Sequence, residues 1–180
     1  MAKKALIIID MLNDFVQEGG ALYTGEAGRR VIPVIAEVLK RARGEKWPII
    51  YLCDQHTSDD SEFNMFPVHC LAGTSGGEIC TELAPQDGDI IIPKRRYSGF
   101  YGTDLDLTLR ELVVDELIIT GVCTNICVLY TTADARMHNY RVKILEDAVA
   151  SFDEQAHEFA LQEMEKTLGA ELSDSRDVDL

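Results

Sequence analysis

The sequence has no long apolar run. No stretch of 18 apolar residues occurs in its 180 positions, so it predicts no membrane-spanning helix. The apolar run that precedes Asp10 is too short for the core of a signal peptide, and no small-residue cleavage site follows it. We therefore expect a cytoplasmic protein.

Basic residues and cysteines are also few. The chain has 17 Lys and Arg against 31 Asp and Glu, a formal net charge of −14. Nucleic-acid binding needs a basic surface that releases counterions, so this class of function is not expected. Five cysteines are an odd number for a disulfide framework. Each is instead a candidate for core filler, metal ligand or nucleophile.

Short apolar segments alternate with segments of helical period, without internal repeats or low-complexity linkers. The strand-like segments lie at 5–9, 49–53, 90–92, 116–120 and 142–145, with a weaker one at 170–172. Helices are predicted at 29–43, 104–114, 124–139 and 153–168, the last with Phe159 and Leu168 on its apolar stripe. This alternation predicts an α/β fold with three layers, in which helices cover both faces of a mostly parallel, doubly wound, Rossmann-like sheet of five or six strands.

The segment 54–81 is the exception to this alternation. It is long, polar and rich in glycine, and it shows no convincing period. A loop of this length within a compact domain is usually functional or disordered. We therefore expect a single domain over residues 1–180, with a structured active-site loop at about 54–81.

Chemically active residues follow four of the predicted strands, and the carboxyl ends of parallel strands meet at one edge of a sheet. These residues are Asp10, Asp54 with His56, Lys94 and Cys127. Each has an ordinary explanation. Asp10 could cap a turn, Lys94 could belong to an exposed basic cluster with its two arginine neighbours, and Cys127 could be a buried structural cysteine.

Together, however, the carboxylate, the ammonium and the thiol make chemical sense. A thiol attacks as the thiolate, and both a helix N-terminus and the Lys94 ammonium would lower the pKa of Cys127. Asp10 could take the thiol proton and later return it to a leaving amine. Backbone N–H groups at the same helix start could hold the oxyanion of a tetrahedral intermediate.

The chain resembles the isochorismatase-like cysteine hydrolase superfamily and, within it, the nicotinamidases. The resemblance runs nearly from end to end and is carried by five motifs in order. They are Ala5-Leu-Ile-Ile-Ile-Asp10 with Asn13-Asp14-Phe15, Phe66-Pro-Val-His69 with Gly73-Thr74, Lys94-Arg-Arg-Tyr97-Ser-Gly-Phe100, Gly102-Thr103-Asp104-Leu105, and Gly121-Val-Cys-Thr-Asn-Ile-Cys127-Val.

The resemblance implies a catalytic triad of Asp10, Lys94 and Cys127. It also implies a cis peptide bond between Val122 and Cys123, with an oxyanion hole formed by the backbone N–H groups of Cys123 and Cys127. The sequence departs from the pattern at one place. Many nicotinamidases have Ala-Thr-Asp-Tyr-Cys where this chain has Cys-Thr-Asn-Ile-Cys, and this departure bears on the substrate more than on the mechanism.

A metal site is predicted at the start of the loop. Asp54 and His56 are two residues apart in extended chain, so their side chains point to one face. His69 returns from the far side of the loop, and Glu62 precedes it by seven positions. Histidines with carboxylates suit zinc, and also iron or manganese. The alternative is a solvated acidic loop with two incidental histidines.

For the substrate, the resemblance implies that the metal binds the pyridine nitrogen of nicotinamide and so orients its carboxamide towards Cys127. It also implies an aromatic wall of Phe15, Phe66 and Tyr97. We therefore expect a nicotinamidase of NAD salvage, which also forms homo-oligomers. Two alternatives stay open: an amidase of the same mechanism that acts on another small amide or ureido compound, and a catalytically silent binding protein of this fold.

Overall fold

The computed structural model describes residues 3–178, and a six-stranded parallel sheet runs through them. The spatial order of the strands is β3-β2-β1-β4-β5-β6. The strands are β1 (Lys4–Ile9), β2 (Ile49–Asp54), β3 (Ile90–Lys94), β4 (Glu116–Val122), β5 (Arg141–Ala150) and β6 (Glu171–Ser173). Every pairing is parallel. The predicted doubly wound sheet is confirmed, with six strands.

Strand β1 lies at the centre, between β2 on one side and β4 on the other. The chain builds the sheet outward from β1 in one direction and then returns to build it in the other. The strand order therefore reverses between β1 and β4, and in open α/β sheets ligands bind outside the carboxyl ends of the strands at such a point. Asp10 follows β1 directly, and Cys127 lies five residues beyond the end of β4.

Helices cover both faces of the sheet. They are α1 (Asn13–Val16), α2 (Gly25–Gly44), α3 (Leu105–Glu111), α4 (Leu129–Met137) and α5 (Glu154–Lys166). The side chains of α1 and α2 pack with Leu6 and Ile8 on one face. Those of α3, α4 and α5 pack with Ile7 and Ile9 on the other. Because both faces are covered, β1 is buried along nearly its whole length and needs no polar alternation.

Some predicted boundaries differ from the structure. Helix α2 begins four residues before the predicted start, and β5 runs to Ala150, well beyond the predicted end at 145. The stripe predicted for the last helix is wrong at Phe159, whereas Leu168 packs partly buried against the core. Phe159 is 64% exposed, whereas Ala160 and Met164 are buried. The latter two are four residues apart and so share one face of the helix. Among the described residues, no helix is both long and apolar enough to cross a membrane.

Strands β1 and β4 leave no room for a side chain at Gly121, near the end of β4. Its φ is +112°, and a Cβ atom there would lie 2.0 Å from the backbone oxygen of Ile9. Only glycine meets both conditions without strain. This residue lets β4 stay beside β1 at the point where the chain turns towards Cys127.

The long loop is ordered by hydrogen bonds to the body of the domain. It contains short 3₁₀ turns at Ser61–Asn64 and Ser75–Gly77, and a third follows at Thr81–Leu83. The Asp14 carboxylate accepts from the Cys70 N–H at 2.7 Å. A backbone bridge joins His56 to Leu71, so the two sides of the loop lie together. This closure brings His69 back to the end of β2.

Candidate active site

Asp10, Lys94 and Cys127 meet at the carboxyl edge of the sheet, and all three are buried. Lys94, the last residue of β3, reaches past the end of β2. Its Nζ lies 2.8 Å from Asp10 Oδ2, 2.5 Å from Asp54 Oδ1 and 3.4 Å from Cys127 Sγ. A carboxylate oxygen of Asp10 lies within 4.8 Å of the Cys127 sulfur. The structure therefore brings all three predicted residues together, with Asp54 as a fourth neighbour.

Burial and charge set the protonation of this cluster. Burial, together with the Asp54 carboxylate, raises the pKa of Asp10 to about 6 against the opposing effect of Lys94. Burial lowers the pKa of Lys94, but Asp10 and Asp54 outweigh it and hold that pKa well above its usual value. Lys94 therefore stays charged and holds the two carboxylates in place.

The thiol differs from the expectation that its pKa is lowered. Burial and the nearby Asp10 carboxylate raise the pKa of Cys127 well above its ordinary value, although Lys94 opposes them. The thiol is thus neutral before it reacts, while Asp10 is ionised above about pH 6. This combination suits a transfer of the thiol proton to Asp10 as the sulfur attacks, rather than a preformed thiolate.

The sequence predicted a helix at 124–139, but the turn that carries Cys127 is not α-helical. Thr124–Val128 forms a π-helical turn, and α4 begins only at Leu129. Single π turns inside helices are frequent at functional sites. The peptide bond between Val122 and Cys123 is cis, as the resemblance implied.

The four predicted metal ligands also come together. One donor atom from each of Asp54, His56, Glu62 and His69 lies within 4.8 Å of the others, and all four residues are buried. Asp54 Oδ2 lies 3.6 Å from Nε2 of both histidines. The other oxygen of Asp54 accepts from Lys94, so this one carboxylate joins the metal cluster to the triad.

The donor set fits a divalent cation. His69 Nδ1 is 2.8 Å from the Pro67 carbonyl oxygen, which leaves Nε2 facing the cluster. His56 Nε2 is buried and has no hydrogen-bond partner among the described residues. Burial and the Asp54 carboxylate raise the pKa of Glu62, a repulsion that a bound cation would relieve. Two histidines with carboxylates form a donor set that zinc and related metals accept.

Sequence reasoning missed Asp60, which lies behind His56. Its side chain is fully buried, and its Oδ2 lies 3.1 Å from His56 Nδ1. Arg95 and Arg96, considered as an exposed basic cluster with Lys94, both bind this carboxylate. The N–H of Glu62, with His56 and the arginines, lowers the pKa of Asp60 far below its ordinary value. The spacing of four residues from His56 was the available signal, but the surrounding acidic residues obscured it.

A narrow cleft is lined by Cys127 of the triad and by Asp54, Glu62 and His69 of the metal cluster. The three predicted aromatic residues, Phe15, Phe66 and Tyr97, all line it. The ring of His69 packs edge-on against Phe15 and Phe66, with centroids 5.8 and 6.3 Å away. The sequence did not predict the remaining apolar lining, which consists of Leu22, Ile126 and Phe152. The cleft is small, largely apolar and open to both sets of polar groups, as ligand sites commonly are.

The isochorismatase domain family matches residues 4–177 of this chain. The match covers nearly the whole length, so the chain belongs to the isochorismatase family. The fold and the residues that the resemblance relied on agree with this membership.

Similar proteins hydrolyse amides. The solved structure of nicotinamidase PncA from Bacillus subtilis is 38% identical, covers 96% of this chain and 99% of that chain, and has a TM-score of 0.91. A pyrazinamidase of Pyrococcus horikoshii in complex with zinc is 34% identical, covers 96% and 99% of the two chains, and has a TM-score of 0.90. The ureidoacrylate amidohydrolase RutB of Stutzerimonas stutzeri (strain A1501) is 34% identical over 93% of this chain and 78% of its own. This chain is accordingly a hydrolase that acts on amides.

Proposed function

We propose that this protein is a metal-dependent nicotinamidase, which converts nicotinamide and water to nicotinic acid and ammonia through a thioester on Cys127. The observation that carries the proposal is the lining of the cleft, which includes Cys127 of the triad and Asp54, Glu62 and His69 of the metal cluster. A flat heteroaromatic amide can place its carboxamide at Cys127 and its ring nitrogen at the histidines. The aromatic side chains Phe15, Phe66 and Tyr97 would hold its ring.

The charge of the cleft favours a neutral substrate. Among the residues that line it in the described part of the chain, none is Lys or Arg, whereas Asp54 and Glu62 both contribute carboxylates. Nicotinamide is uncharged. Ureidoacrylate carries a carboxylate, and the lining offers no cationic side chain to receive it. A bound divalent ion would offset the charge of Asp54 and Glu62, so the preference for nicotinamide rests on this missing partner and on the aromatic wall, which suits a flat neutral ring.

The reaction would use the buried triad in two halves. As the Cys127 sulfur attacks the amide carbon, Asp10 accepts its proton, and the backbone N–H groups of Cys123 and Cys127 donate to the oxyanion. Asp10 returns the proton to the amide nitrogen, and the C–N bond breaks to release ammonia. A water molecule then attacks the thioester carbon while Asp10 accepts its proton. The acid leaves, and the proton returns to the sulfur.

The metal has a positioning role in this proposal. Asp54, His56 and His69, with Glu62 as a further ligand, would hold one divalent ion, with zinc as the first candidate and iron or manganese as the others. When bound, it supplies a Lewis-acidic position that coordinates the pyridine nitrogen and fixes the ring in the cleft. We further propose that the chain acts as a single domain, in the cytoplasm, as a homo-oligomer in NAD salvage.

Ammonia release from the purified, zinc-loaded protein tests this assignment. We expect kcat/KM for nicotinamide to exceed that for ureidoacrylate by on the order of 100-fold or more, because ureidoacrylate has neither a ring for the aromatic wall nor a pyridine nitrogen for the metal. Cys127→Ala should abolish the activity, and Cys80→Ala, which removes a buried thiol outside the cleft, should preserve it. Faster turnover of ureidoacrylate would move the protein to the ureido amidases.

A further inference from the structure

The two histidines of the metal cluster are held by different kinds of acceptor. His69 Nδ1 faces the backbone carbonyl of Pro67 at 2.8 Å. His56 Nδ1 faces the carboxylate of Asp60 at 3.1 Å. Asp60 lines neither the cleft nor the group of donor atoms. It can therefore affect the site only through the residues that it contacts.

The contacts of Asp60 decide which nitrogen of His56 carries the proton. Arg95 donates to Asp60 Oδ2 at 2.9 Å, Arg96 donates to Oδ1 at 3.1 Å, and the Glu62 N–H donates to Oδ1 at 3.0 Å. Both oxygens of Asp60 thus accept from N–H groups and pair with guanidinium groups, so neither is placed to donate, and His56 Nδ1 is the donor in its pair. A neutral ring that carries its proton on Nδ1 has its lone pair on Nε2. That atom is the buried, unpartnered one that faces Asp54.

We propose that Asp60 is a positioning residue that fixes the tautomer and orientation of His56 for metal binding. This inference rests on the metal site proposed above. Arg95 and Arg96 pair with the two oxygens of Asp60 and tie it to the chain that leaves β3. Arg96 also lies 3.8 Å from Glu62 Oε2. Both guanidinium groups thus hold Asp60, which contacts His56, next to the end of β3. Arg96 also holds the proposed ligand Glu62 there.

Zinc affinity of the folded protein, measured by competition with a chromophoric chelator, tests the role of Asp60 without reference to turnover. We expect Asp60→Asn, which keeps the shape of the side chain, to weaken zinc binding by about 10–100-fold, as the loss of a carboxylate behind a metal-bound histidine does. Asp59→Asn is the matched control, because it removes the adjacent carboxylate, which is exposed. It should bind zinc as the wild type does. His56→Ala marks the affinity that remains when a ligand is lost.

A second readout separates positioning from simple support of the loop. ¹⁵N NMR of the zinc-loaded protein should show His56 with its proton on Nδ1 in the wild type, and a faster-exchanging Nδ1 proton in Asp60→Ala. Asp60→Asn could have a lower Tm and yet bind zinc as tightly as the wild type, while His56→Ala binds zinc more weakly. In that case the positioning role is wrong and the metal site stands. If the wild type binds zinc no better than His56→Ala, the metal site and the role of Asp60 both fail.

Discussion

Replacement of Lys94 by methionine should damage both stability and activity, because this buried ammonium compensates two buried carboxylates. Its Nζ lies 2.8 Å from Asp10 and 2.5 Å from Asp54. At an effective dielectric constant of about 20, each pair corresponds to an attraction on the order of 6 kcal/mol. Methionine fills a similar volume and avoids the cost of burying the ammonium, but it leaves both carboxylates unpaired. Loss of one partner of a buried pair costs about 3–5 kcal/mol.

The assay is urea and thermal unfolding of chelator-treated protein. For a domain of this size, a loss of about 3–5 kcal/mol in the free energy of unfolding corresponds to a fall in Tm of roughly 6–20 °C. The variant should therefore still fold, but with a smaller free energy of unfolding. Lys40→Met, at an exposed position of α2, should change the free energy of unfolding by no more than about 0.5 kcal/mol. Ammonia release should fall by on the order of 100-fold or more in Lys94→Met, because the triad loses the charge that keeps Asp10 ionised.

A double-mutant cycle makes the charge argument stricter. Lys94→Met combined with Asp10→Asn removes one of the stranded carboxylates, so it should regain part of the lost stability while remaining inactive. If Lys94→Met unfolds within about 1 kcal/mol of the wild type, or if the double variant is less stable than the sum of the single losses, the electrostatic reasoning is wrong.

Three other outcomes are expected. Cys127→Ala should lower turnover by roughly 10³-fold or more while the protein still folds and binds nicotinamide; near-normal ammonia release would exclude Cys127 as the nucleophile. Removal of the metal, or His56→Ala, should raise KM for nicotinamide steeply, while iodoacetamide still alkylates Cys127 because Asp10 remains to accept the thiol proton. Benzamide, which lacks the ring nitrogen, should then lose its disadvantage against nicotinamide. Unchanged turnover after verified metal loss would contradict this. Gly121→Ala should reduce stability and soluble yield, because the alanine Cβ would lie 2.0 Å from the Ile9 oxygen. A variant with the same Tm as the wild type would contradict this expectation.

Strand positions were the most predictable part of the fold, and the helices were less so. Apolar segments such as Ile49–Asp54 are buried throughout, and their short runs of β-branched residues indicate strands directly. The interpretation of Phe159 failed because an amphipathic helix with several apolar residues permits more than one buried stripe. The prediction of a helix from residue 124 was wrong in its first turn. A π turn has hydrogen bonds between residues i and i+5 instead of i and i+4, and side-chain periodicity does not report this difference.

The sequence by itself determined which groups reach the site. Asp10, Asp54, Lys94 and the segment before Cys127 each follow or end a strand, and in a parallel sheet those ends share one edge. Tertiary structure decided what these groups do to one another. Burial raises the pKa of the Cys127 thiol instead of lowering it, and Arg95 and Arg96, although partly exposed, both pair with the buried Asp60. The reason is that desolvation and charge pairing depend on distances of a few ångströms between residues far apart in the chain, which strand order does not specify.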